Sequence, residues 1–197
     1  MIVHTKRSRE EDYGLRLRII WALFLWAFIF YGVGNSLLSS NQALLGLLLI
    51  LINSVWVCAI GVLFRPIIAR DKPSIANIYF ISRVGEALFL GLGAIMVVVA
   101  PQDVWTAWNA ILYPLGMIIL GIGSIAFCYW LISTKCIHKL LAWLWLIGYI
   151  CLIFGMLLTL LEFDSQAMYF LLPGAVFEIS FAVLLLFLGQ RSIHPKH

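Results

Sequence analysis

Six long apolar runs constrain this chain more than any other feature in it. They cover residues 17–38, 43–64, 74–100, 104–132, 140–161 and 167–188. Each meets or exceeds the ~20 residues that an α-helix needs to cross a hydrocarbon layer. Short polar segments separate the runs, so successive ones read as antiparallel helical hairpins. Backbone polar groups in lipid are satisfied only within helices or closed barrels, and uninterrupted apolar runs of this length read as helices. The expected fold class is therefore all-α, a polytopic membrane protein with a six-helix transmembrane bundle.

Composition agrees with that reading. Of 197 residues, 63% are hydrophobic and 11% charged, whereas a soluble domain carries about a quarter charged. The bundle at 17–188 takes up the length, flanked by a polar segment at 1–16 and a tail at 189–197. Any chemistry has to come from the helices, the turns or these ends. The net charge of +4 is not read as nucleic-acid binding, because the basic residues stand beside the spans. Twelve of the thirteen Lys and Arg residues fall on the face that carries both termini and the turns at 65–72 and 135–139. The opposite face has only Asp103, Glu162 and Asp164. The positive-inside rule then puts both termini in the cytoplasm. The first run is much longer than a signal-peptide core, and the first span is expected to be retained.

Local signals add detail. Ser74 after Pro73 is expected to cap the third helix, and Pro114 to kink the fourth. Trp105, Trp108, Tyr129, Trp130, Trp143 and Trp145 read as interfacial belts. The remaining aromatics read mostly as lipid-facing bulk, with a minority available to line a cavity. Cys58, Cys128, Cys136 and Cys151 have no paired or metal-like spacing and read as free thiols. No cofactor and no metal site is expected. His4, His138, His194 and His197 lie outside the spans, which argues against haem held by paired histidines. Gly121-Ile-Gly123-Ser124 lacks a membrane-embedded base for serine nucleophilic catalysis. The Gly-x-Gly pairs at Gly32 and Gly34, Gly91 and Gly93, and Gly121 and Gly123 are expected to ease helix packing. No internal repeat stands out.

The thirteenth basic residue is Arg83, inside the third run and three residues before Glu86. Charges at a helix centre cost roughly 2.5–3.5 kcal/mol each on insertion scales, so partners are expected. Counted from the basic face, Glu86, Glu178 of the sixth run and Asn53 of the second reach a similar depth. Tyr79, Ser82, Arg83 and Glu86 share one helix face. Gly174, Glu178 and Ala182 form a small-Glu-small stripe, from which contact between the third and sixth helices is expected. Arg83 would be shared by Glu86 and Glu178, with Asn53 hydrogen-bonding from the second helix. One cation and two carboxylates leave a net charge of minus one, which favours a held proton or a bound cation. Asn109 with Tyr113, and Tyr31 with Asn35, form a second tier that could line an outward vestibule.

The basic loop leading into IYFISRVGEALFLG, the later STKCIHKLLAWLWLIGYICLIFG and the closing LLPGAVFEISFAVLLLFLG together resemble the bacterial family catalogued as domain of unknown function number 4386. The resemblance runs from the second helix onward, and Arg83-x-x-Glu86-Ala87 is its most specific piece. It implies a small multi-spanning protein of the bacterial inner membrane and no activity.

Three functions stay open. The favoured one is a non-enzymatic bundle whose Arg83, Glu86, Glu178 and Asn53 bind or pass a small ligand or proton. The second is a membrane enzyme acting on a lipid or isoprenoid, with a protonated carboxyl as general acid. The third is a structural or accessory subunit. Expected partners are membrane lipids, together with a small-molecule ligand, a membrane-protein partner or further copies of the chain as open classes.

Overall fold

A computed structural model describes residues 2–135, 137–163 and, further on, 166–167, 169–170, 176, 179–181 and 183–184; for 2–14, 102–103 and 105–106 only the backbone is described. All regular structure among the described residues is helical. Five helices follow one another: α1 (Ile2–Leu38), α2 (Ala43–Ala69), α3 (Pro73–Val99), α4 (Gln102–Thr134) and α5 (Lys139–Leu160). Each contains a stretch long and apolar enough to cross a membrane. The described residues between 166 and 184 are also helical, and most of the expected sixth span lies outside the description.

The boundaries differ from the apolar runs in instructive ways. Helix α1 begins at Ile2, so the polar stretch expected as a separate segment continues the first span, whose apolar part is Leu15–Leu38. The sequence places Lys6 four residues before Glu10 and Arg7 four before Glu11, a spacing that supports helix outside the lipid. Helix α2 runs five residues past Phe64, through Pro66 to Ala69. A proline inside a helix costs about 3 kcal/mol. Ile67 and Ile68, just beyond it, are buried, and burying two such side chains returns about 1.5–3 kcal/mol each. Packing therefore carries the helix through the Arg65-Pro66 break.

Ser74 does not cap α3. The N-cap is Lys72, with Pro73 in the first helical turn and no side-chain cap. That is where proline's missing N–H is harmless and its fixed φ is already helical. Pro114 lies within α4 and is fully buried.

Helix α3 is central, packing chiefly on α2 and α4, with a lesser contact to α1. Glycines set these approaches. A Cβ on Gly46 would stand 2.6 Å from the Leu38 nitrogen and 2.7 Å from the Gly34 carbonyl oxygen, so the α1 and α2 backbones nearly touch. Gly61 of α2 receives the Cβ of Arg83, and Gly123 of α4 receives Ser82. Of the expected Gly-x-Gly pairs, Gly32 faces open space and eases nothing.

The core is aromatic at the basic end of the bundle. Phe24, Phe64, Tyr79, Phe127, Trp130, Trp145 and Phe181 are buried and packed ring on ring. Two tryptophans expected in the belts therefore belong to the core, while Tyr129 and Trp143 beside them are exposed. Residues one or two apart on a helix point to different sides, so only one of each close pair can face the lipid. Each buried indole finds an acceptor: Trp130 Nε1 donates to Asp71 Oδ2 and Trp145 Nε1 to Ser180 Oγ, both at 3.1 Å.

Candidate functional site

The i, i+4, i+7 spacing of Tyr79, Arg83 and Glu86 gives one stripe on α3, and all three face inward. Arg83 and Glu86 are 3% and 5% exposed. Arg83 Nη1 donates to Glu86 Oε2 at 3.0 Å, and Arg83 Nε donates to the Tyr79 hydroxyl at 3.1 Å. The guanidinium carbon lies 5.1 Å from the ring centres of both Phe24 and Tyr79. Arg83 is thus held by a carboxylate, a phenol and two aromatic faces. Its stem rests on Gly61, where any side chain would displace it.

Ser82 is used differently. Its hydroxyl donates to the Tyr79 carbonyl at 2.7 Å, and the side chain fills the space left by Gly123. It packs α3 on α4 and does not join the ion pair.

Asn53 is buried, with 2% exposure, but it does not stand level with Glu86. Gly61 opposes Arg83 and Gly91 opposes Leu51 and Ser54. In this antiparallel register Cys58 comes level with Glu86, and Asn53 with Gly91, five residues or about 7.5 Å farther from the basic face. The five residues that α2 adds beyond Phe64 account for the shift, since depth counted from Phe64 starts one and a half turns too late. Among the described residues no side-chain hydrogen bond joins Asn53 to Arg83 or Glu86.

The second tier separates likewise. Tyr31 and Tyr113 stack, with centroids 6.0 Å apart and planes 11° apart. Phe30 packs on Trp56 at 4.5 Å, which brings Tyr31 near the level of Asn53. The Asn109 amide oxygen sits 3.1 Å from where a Gly93 Cβ would be. Asn35 is exposed. Glu178, Gly174 and Ala182 lie outside the described residues. Phe181 is described and reaches the aromatic cluster: its ring is 5.5 Å from Phe24 and 6.1 Å from Phe64.

Sequence reasoning did not anticipate Phe24 or Gly61 as neighbours of Arg83. Leu17, Ile20 and Phe24 are buried at helical spacing, so the inward face of α1 was readable, although the residue it would meet was not. Cys58, Cys128 and Cys151 are free thiols, as expected, and Cys136 lies outside the description.

Fold and site define a multi-pass helical membrane protein built around an ion pair in its interior. The family model described as "Domain of unknown function (DUF4386)" matches residues 99–189, which bears out the resemblance over the fourth helix onward. The STKCIHK and LLPGAVFE stretches fall inside the match, whereas Arg83-x-x-Glu86-Ala87 precedes it. No curated protein and no solved structure matches the chain.

Proposed function

We propose that this chain is a six-span protein of a bacterial cytoplasmic membrane, with both ends on the basic side, whose polar centre at Arg83, Glu86 and Glu178 takes up a proton or small cationic ligand. The observation that carries the reading is the Arg83–Glu86 pair, buried midway along α3. Ionisable residues inside membrane bundles cost several kcal/mol and mark pathways and ligand sites more often than they fill space.

Charge arithmetic supports a cationic guest. Arg83 balances one carboxylate, and Glu178 supplies a second. In sequence Glu178 precedes Phe181 by three positions, and Phe181 shares the aromatic cluster with Tyr79 through Phe64 and Phe127. Asn53, Tyr31 and Tyr113 would line the route between Glu86 and the acidic face, with Asn109 and Asn35 nearer its mouth.

The enzyme reading fits less well. Stabilising a cationic isoprenoid needs free aromatic faces, and here Phe24 and Tyr79 already face Arg83. Sidedness follows the turns: those after α2 and α4 carry Arg70, Lys72 and Lys135, whereas residues 39–42 and 100–101 carry no basic residue.

Infrared difference spectroscopy across a pH titration of the protein in proteoliposomes tests the site. The expected result is a protonated-carboxyl band that titrates in the wild type and is lost in Glu86→Gln or Glu178→Gln. A spectrum with no titrating carboxyl band from either residue would leave a fixed internal clamp. Reporter fusions at the C-terminus test the sidedness.

A further inference from the structure

We propose that Arg65 holds the phosphate of an anionic phospholipid in the leaflet on the basic side of the bundle, at a groove between α2 and α3. This site is separate from the polar centre and does not depend on it.

The residue stands where α2 leaves its apolar run, on the basic side of the bundle, and it is exposed. An exposed arginine ordinarily wanders, but this one is fixed at two points. Its Nε donates to Asn77 Oδ1 at 3.2 Å, and its guanidinium carbon lies 5.6 Å from the Phe80 ring centre. Phe80 lies against α2 beside Gly61, one turn before Arg65. A Cβ there would be 3.4 Å from Phe80 Cδ2. Helix α3 thus contributes both the acceptor and the ring that orient an arginine of α2.

The Nε–H and one ring face are used up, and among the described residues no carboxylate pairs with Arg65. Its two terminal nitrogens remain as a planar fork, the geometry that matches two phosphate oxygens. Asp71, the acid nearest in sequence, has one oxygen turned to the Trp130 indole. Toward the bilayer centre, Val62 and Ile81, one turn from Arg65 and Asn77 respectively, are exposed on the same two helices. They give the acyl chains of a bound lipid an apolar track directly below the fork. A phosphate with two acyl chains satisfies both parts of the surface, and charge complementarity selects a headgroup with net negative charge.

The test uses the full chain in mild detergent with an equimolar mixture of phosphatidylglycerol and phosphatidylcholine, with bound lipid read by native mass spectrometry. The wild type should retain phosphatidylglycerol preferentially, and Arg65→Ala should lower that preference about tenfold, the loss of one charge-assisted contact. Arg65→Lys keeps the charge without the stacked fork and should fall between the two. Lys135→Ala, an exposed cation on the other turn, should leave the preference unchanged. Equal retention of the two lipids by the wild type would overturn the proposal. So would equal losses in Arg65→Ala and Lys135→Ala, which would mean diffuse surface charge.

Discussion

Arg83 makes a buried guanidinium tolerable by surrounding it with several modest partners. A cation over an aromatic face contributes about 0.5–2 kcal/mol, and a hydrogen bond to a charged group about 1.5–3 kcal/mol. Two rings, a phenol and a carboxylate together offset an insertion cost of about 2.5–3.5 kcal/mol. The planar shape matters as much as the charge. Arg83→Lys should destabilise the protein by about 1–3 kcal/mol, because an ammonium cannot stack on Phe24 while donating to both Tyr79 and Glu86. Glu86→Leu should cost more, about 3–5 kcal/mol, since it deprives a buried cation of that carboxylate. Unfolding in detergent checks both, and the proposed ordering fails if Arg83→Lys is the more damaging. The sequence disclosed the stripe of Tyr79, Arg83 and Glu86 because helical spacing alone sets it. It could not disclose Phe24, which meets Arg83 through the crossing of two helices 59 positions apart in the chain.

Between helices, glycine position decides how closely backbones approach. Gly46→Ala would drive a Cβ into backbone atoms of α1 at 2.6–3.0 Å, and backbone cannot yield as a side-chain end can. Gly32→Ala meets nothing within 4 Å and gains up to about 1 kcal/mol of helix propensity. The two alanines should therefore move the thermal midpoint in opposite directions, a comparison readable in one detergent melt. The turn after α4 offers a third case. Lys135 caps that helix at φ 55°, a left-handed conformation costing a residue with a Cβ about 1–2 kcal/mol. Lys135→Gly should raise stability by about that amount, measured in the same way. Element existence was legible from apolar length, but the end of α2 was not. Arg65-Pro66 reads as a break until one sees that Ile67 and Ile68 have core to enter.

The molecule as a whole is joined by its aromatic cluster more than by chain order. Helices α1 to α5 pack mainly on their sequence neighbours, whereas Phe181 touches rings from α1, α2, α4 and α5. Phe181→Ala should cost about 3–5 kcal/mol and release the last segment first, which limited proteolysis from the C-terminal side would report as early cleavage near that segment. Failure to cleave there ahead of global unfolding would show that other contacts hold it. Apolar length and charge distribution made the membrane class plain, but the sequence put Trp130 and Trp145 in the belts because it cannot say which flank of a helix meets protein. The seat of Arg83 also bears on biogenesis. Ribosomes deliver chains from the N-terminus, so Phe24 and Gly61 reach the translocon before α3 does. Helix α3, the least apolar of the five described spans, can then leave the lateral gate against helices already in the bilayer, its charge shielded from the moment of release. Reordering the hairpins in a permuted gene would deliver α3 before Phe24 and Gly61 and remove that shelter.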